Sequence, residues 1–164
     1  MLGRWVAWFE LNLDAVRSSG RVRLTGPHPD APLEIDHAYL ADPAELEACC
    51  DGVELVGRLV ETPPLADAIE PVSGGVPDRR DRDRLREWVR DRVATSYHPS
   101  STCRMGQAGD RMAVVDQAGR VHGVPGLRVA DASVFPASPR ANIHATVVAV
   151  AEKLADAIRE EANA

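Results

Sequence analysis

The chain has 164 residues, enough for one ordinary domain with a real core and too few for two full-sized ones. Hydrophobic residues make up 45% of it and charged residues 27%, the balance of a folded globular protein and not of a disordered one. The formal net charge of −6 offers no basic field for a polyanion, which argues against a nucleic-acid partner and toward a small molecule.

Cys49, Cys50 and Cys103 are odd in number, with two adjacent, and form neither a disulfide framework nor a CxxC metal spacing. They point to a reducing, cytoplasmic setting. The N-terminal stretch is apolar in places but broken by Arg4 and Glu10, and no apolar run approaches the ~20 residues that span a bilayer. Export and a membrane span are therefore not expected.

In chain order, residues 1–17 alternate bulky apolar and polar positions (Trp5, Trp8, Phe9, Leu11, Leu13) without a clean period, consistent with a linker or a short helix. The turn signal Ser18-Ser19-Gly20 precedes a strand-like alternation at Arg21-Val22-Arg23-Leu24, and three prolines between Gly26 and Pro32 separate it from a second at Leu33-Glu34-Ile35-Asp36. Asp42-Pro43-Ala44-Glu45 reads as a helix start, with Asp42 as N-cap, Pro43 at the first helical position and Glu45 closing a capping box. Leu46, Cys49, Val53, Val56 and Val60 recur at helical spacing, placing Cys49 in the buried stripe as a packing thiol. A loop follows at 72–77, then a charge-rich helix over 78–95 with Leu85, Trp88, Val89, Arg92 and Val93 on its apolar side and i,i+4 pairs on a solvated face. Residues 113–115, 120–122 and 127–130 read as short strands, and the region around Pro136 and Pro139 as a loop. A closing helix spans 145–160, with Val147, Val148, Ala151, Leu154, Ala155 and Ile158 spaced for one face.

Two histidines stand in settings where an imidazole can be aimed at a ligand: His98 in the loop YHPSSTCRMG and His144 in NIHAT. Pro99 biases His98 toward an extended backbone, and Ser100, Ser101 and Thr102 favour local turns. Taken alone, Asn142 reads as a cap or turn residue and Asp131 as a strand-end turn in preference to any functional role. His28, His37 and His122 lie in loops or at strand ends, and nothing has the HExxH or Cys/His spacing of a metal site.

YHPSSTCRMG, VVDQAGRVHGVPGLRVADASVFP and NIHATVVAVAEKLADAI, in that order, resemble the C-terminal signature of the glucose–methanol–choline (GMC) oxidoreductases, flavoenzymes that oxidise alcohols. The resemblance extends back through SSGRVRL, PLEIDHAYL and ADPAEL, and departs from the family at Ser101, where glycine is usual. It implies an α+β fold: the C-terminal portion of a substrate domain, with antiparallel strands and helices, plus the strand and terminal helix that complete an FAD-binding domain. The implied boundaries are a linker or helix at 1–17 and the GMC C-terminal domain at 18–164, divided into a substrate-domain part, 18–95, and an active-site and flavin-domain return, 96–164. By the same resemblance His98 is the general base toward a small-molecule alcohol and His144 its positioning partner, since alcohol oxidation requires removal of the O–H proton as hydride leaves the α-carbon. Asp131, Ala132, Asn142, Ala145 and Thr146 are the implied contacts to FAD, the helix start being suited to negative charge on a reduced flavin.

The GxGxxG fingerprint for the ADP half of a dinucleotide is absent from the sequence; Gly119, Gly123 and Gly126 have the wrong spacing. The expected partner is therefore an FAD-binding N-terminal region or separate subunit, and the chain alone is expected to be inactive. A truncated module acting as a non-catalytic binding or interaction domain is the alternative. A Ser-His-Asp hydrolase is a distant third, because Ser101 lacks the GxSxG elbow.

Overall fold

The computed structural model describes residues 6, 8–14, 16–70 and 75–163. Trp5 and part of the loop expected at 72–77 lie outside the described residues. The chain divides into two compact units: one holds residues 17–20 and 37–94 with the N-terminal stretch to 13, the other residues 14–16, 21–36 and 95–164.

The first unit is helical, with α1 at Pro43–Val60, a short α2 at Leu65–Ala68 that the sequence does not announce, and α3 at Arg82–Arg92. Asp42 caps α1 by accepting the Ala44 N–H at 2.9 Å, with Pro43 supplying a helical φ where no donor is needed. The expected capping box does not form. Glu45 is buried and turns away from Asp42, its carboxylate taking the N–H groups of Arg17 and Ser18 and the Ser18 hydroxyl, while the Ser18 hydroxyl oxygen accepts the Asp42 N–H at 2.9 Å. The incoming segment thus supplies the second half of the cap.

Leu46 and Cys50 of α1 pack on Leu85 and Val89 of α3, flanked by Val53 and Trp88. The expected stripe packs as read, with Cys49 and Val53 half-buried against the cluster, and Cys50, four residues from Leu46 and one turn along the same face, joins it fully buried. Burial pushes both thiols up, as expected of packing groups.

α3 is also shorter than expected, because Asp81 caps it by accepting the Arg84 N–H at 3.1 Å and leaves 78–80 in a turn. Its charges do more than lace one exposed face. Arg82 reaches across to α1, bonding Glu47 at 2.8 Å, Asp51 at 2.6 Å and Glu54 at 2.7 Å, while Arg86 takes the other Glu47 oxygen at 2.6 Å. Spacings of four and three put those three carboxylates on one face of α1. Hydrogen bonds from Arg86 and then Arg82 hold the Glu47 carboxyl down at about 2.

In the second unit, β1 (Arg21–Leu24) and β2 (Leu33–Asp36) form the expected antiparallel ribbon across the Pro-rich loop. The register pairs Arg21 with Asp36 and Arg23 with Glu34 on one face, and Val22 with Ile35 and Leu24 with Leu33 on the other. Both faces are exposed.

The strands expected at 113–115, 120–122 and 127–130 reduce to isolated bridges, Met105 with Val115, Val115 with Val121 and Arg120 with Arg128. Tight turns interrupt them before a ladder propagates. Asp116 accepts the N–H groups of Ala118 at 2.8 Å and Arg120 at 3.0 Å, and Gly119 sits at φ +73° where an added Cβ would lie 2.6 Å from the Val129 carbonyl oxygen. The segment is nevertheless the centre of a core: Val115, Val134, Phe135 and Leu154 are buried together, with Met105, Val121, Val147 and Val150 around them. α4 (His144–Ala162) contributes Val147, Val150 and Leu154 to it. Val148 and Ile158, expected on that face, are exposed: Val148 is rotated about 100° from Val147, and Ile158 lies a turn beyond Leu154, the last residue of α4 in the core.

Candidate active site

The loop that carries His98 is laced to the segment leading into α4 by main-chain hydrogen bonds. The N–H groups of Ser101, Cys103 and Met105 donate to the carbonyls of Ala132, Ser133 and Val134 at 3.2, 2.9 and 2.8 Å. Residues 132–134 form a single 3-10 turn capped by Asp131, whose carboxylate accepts the Ser133 N–H at 2.8 Å and the Ser133 hydroxyl. Holding the loop in this path requires left-handed backbone at Tyr97 (φ +61°) and Ser101 (φ +67°). At Ser101, where the family the sequence resembles usually has glycine, a glycine would adopt this φ without the cost a Cβ brings.

His98 is half-buried at the end of this loop, and its Nε2 lies 2.9 Å from Asn142 Nδ2, 44 residues away in sequence. Asn142 Oδ1 in turn accepts the His144 N–H at 3.0 Å, at the first residue of α4. A main-chain N–H can only donate, so the atom it meets is the carboxamide oxygen; the NH2 group must then face His98. The structure thus brings together His98, Asn142 and the backbone of His144.

Asn142 therefore touches the histidine directly, a contact its spacing could not reveal. Ala145 and Thr146 occupy the exposed first turn of α4, where their N–H groups have no acceptor among the described residues, while Val147 already bonds back to Ile143. These two donors, with the positive end of the α4 dipole behind them, fit the electron-rich pyrimidine side of a flavin. Asp131 and Ala132 lie at the 3-10 turn, and the Asp131 side chain is engaged in its own cap. The other histidines serve local roles. His28 accepts the Asp30 N–H at 3.3 Å, His37 stacks on Tyr39 with ring centroids 4.8 Å apart, and His122 donates Nε2–H to the Gly106 carbonyl at 3.1 Å. A cleft of about 870 Å³ lies elsewhere in the second unit, between Met105, His122 and the α4 residues Val150, Lys153 and Leu154.

Solved structures share this fold: pyridoxine 4-oxidase from Mesorbium loti superposes with a TM-score of 0.77 at 31% identity over 90% of this chain and 28% of that one. The formate oxidase of Aspergillus oryzae RIB40, an FAD protein, superposes with a TM-score of 0.81 at 30% identity over 89% of this chain and 25% of that one. The chain belongs to the GMC oxidoreductase family, whose sequence pattern matches residues 16–151. Among its relatives is an oxygen-dependent choline dehydrogenase of Chromohalobacter salexigens, 37% identical over 153 residues. That match covers 92% of this chain and 27% of the relative, so the chain spans about a quarter of the length of the curated relatives it matches. Among the described residues no helix is long and apolar enough to cross a membrane.

Proposed function

We propose that this chain is the C-terminal catalytic portion of an FAD-dependent alcohol oxidoreductase of the choline dehydrogenase type. It works with an FAD-binding N-terminal polypeptide, covalently continuous or separate, and is inactive without it. The hydrogen-bonded sequence from His98 through Asn142 to the start of α4 carries this reading, because it places an imidazole and two acceptor-less main-chain N–H groups at neighbouring points of one structure.

In this reading His98 takes the hydroxyl proton of a small-molecule alcohol through its imidazole nitrogen, and His144 positions the alcohol oxygen. FAD, when bound, supplies the acceptor for the hydride that leaves the α-carbon. With FAD bound, the main-chain N–H groups of Ala145 and Thr146 would stabilise negative charge at the helix start, and Asp131 and Ala132 would also contact the cofactor.

The test is reconstitution with the FAD-binding portion of a related choline dehydrogenase. Stopped-flow flavin reduction under anaerobic conditions should fall roughly 10²-fold in His98→Ala, the scale of losing a general base. An unchanged rate removes His98 from the chemistry. The alternative is a non-catalytic interaction module. Protein that stays colourless under every pairing would establish that reading instead.

A further inference from the structure

The Asn142–His98 contact constrains more than distance. The His144 N–H fixes the carboxamide oxygen, the carboxamide NH2 faces Nε2 at 2.9 Å, and an NH2 group has only hydrogens to offer. His98 Nε2 must therefore accept. A neutral imidazole whose Nε2 accepts carries its proton on Nδ1, the tautomer less favoured by an unconstrained histidine in water. We propose that Asn142 is a positioning residue that holds His98 in the Nδ1–H tautomer with a bare Nε2, and that an alcohol hydroxyl replaces the Asn142 NH2 as the donor to that nitrogen.

The exchange is between two donors of similar strength at one lone pair, so the ring needs no proton rearrangement when substrate arrives. The hydroxyl hydrogen then already points at the nitrogen that takes it. The exposure of Asn142 and the half-burial of His98 leave the contact open to such a competitor. The substrate half of this inference rests on the proposed oxidoreductase function; the tautomer does not, and the two fail separately.

The experiment is a long-range 1H–15N correlation spectrum of the 15N-labelled 164-residue chain, recorded well above the range in which imidazole titrates, with His98→Gln identifying the His98 signals. Wild-type His98 should show a protonated Nδ1 and an unprotonated Nε2. In Asn142→Asp a carboxylate oxygen replaces the NH2 group, and the pattern should invert to Nε2–H. Asn142→Ala should relax it toward the mixture of a free histidine. The signals of His28, His37 and His122 report the fold, and their constancy separates loss of the contact from loss of structure. An Nε2–H pattern in the wild type, or a His98 pattern indifferent to both substitutions, overturns the inference even if the reconstituted enzyme is active. A correct tautomer in a chain that never supports turnover leaves the tautomer assignment standing and overturns the substrate half together with the function.

Discussion

Ser101 donates its N–H to the carbonyl of Ala132 at 3.2 Å while its own backbone sits at φ +67°. The rung that ties the His98 loop to the 3-10 turn is thus made by a residue held in a conformation that L side chains resist. Ser101→Gly removes that resistance but loosens the unfolded chain, and the net gain should be about 0.5–1 kcal/mol. Urea denaturation should give a higher midpoint at an unchanged slope.

Glu45 joins the segment at Ser18 to the start of α1. Glu45→Ala leaves the Arg17 and Ser18 N–H groups without their acceptor and should cost about 2–3 kcal/mol. Burial pushes this carboxyl up, but the bonds from the Ser18 hydroxyl, the Ser18 N–H and the Arg17 N–H, with the Arg17 charge, outweigh it and leave it below its ordinary 4.5. A pKa lower in the folded state than in the unfolded one stabilises above the unfolded value, and that contribution is lost as pH falls below 4.5. The stability difference between wild type and Glu45→Gln should therefore shrink on acidification through that range.

Arg82 bonds three carboxylates of α1, and its side chain is a quarter exposed. Solvent screening limits its contribution, so Arg82→Met should destabilise by about 1 kcal/mol at low ionic strength and by less in concentrated salt. A loss equal at both would assign the effect to packing of the side-chain stem.

Gly119 and Gly123 both have positive φ, +73° and +77°, yet only Gly119 is crowded, by the Val129 carbonyl oxygen. Gly119→Ala should cost about 2–3 kcal/mol, combining conformational strain with displacement of the bond from the Val129 N–H to the Gly119 carbonyl. Gly123→Ala, with open space around it, should cost about 1 kcal/mol. Thermal melts of the two variants separate these contributions.

The parts of this fold that are legible in the sequence are those governed by neighbours along the chain. The ribbon at Arg21–Leu24 and Leu33–Asp36, the Asp42 cap and the span of α4 follow from alternation, capping chemistry and helical period. Glu45 misleads because its short-range partner at Asp42 loses to donors from residues 17 and 18, which only the folded chain brings near. The segments at 113–115 and 120–122 alternate like strands, but the turn at Asp116 and Gly119 stops pairing after one bridge. The same limit applies at the site. His98 and His144 stand out by their surroundings, and Ser101 by its departure from a glycine, but nothing in the spacing of 44 residues discloses that Asn142 reaches the imidazole.

Because the ties between residues 101–105 and 132–134 are made by peptide groups alone, they are indifferent to what most side chains along the loop become. Ser100, Thr102 and Arg104 can be exchanged without unfastening the histidine from the helix it faces. A lineage, or an engineer, can thus retune the rim around a fixed imidazole while the main chain keeps its aim.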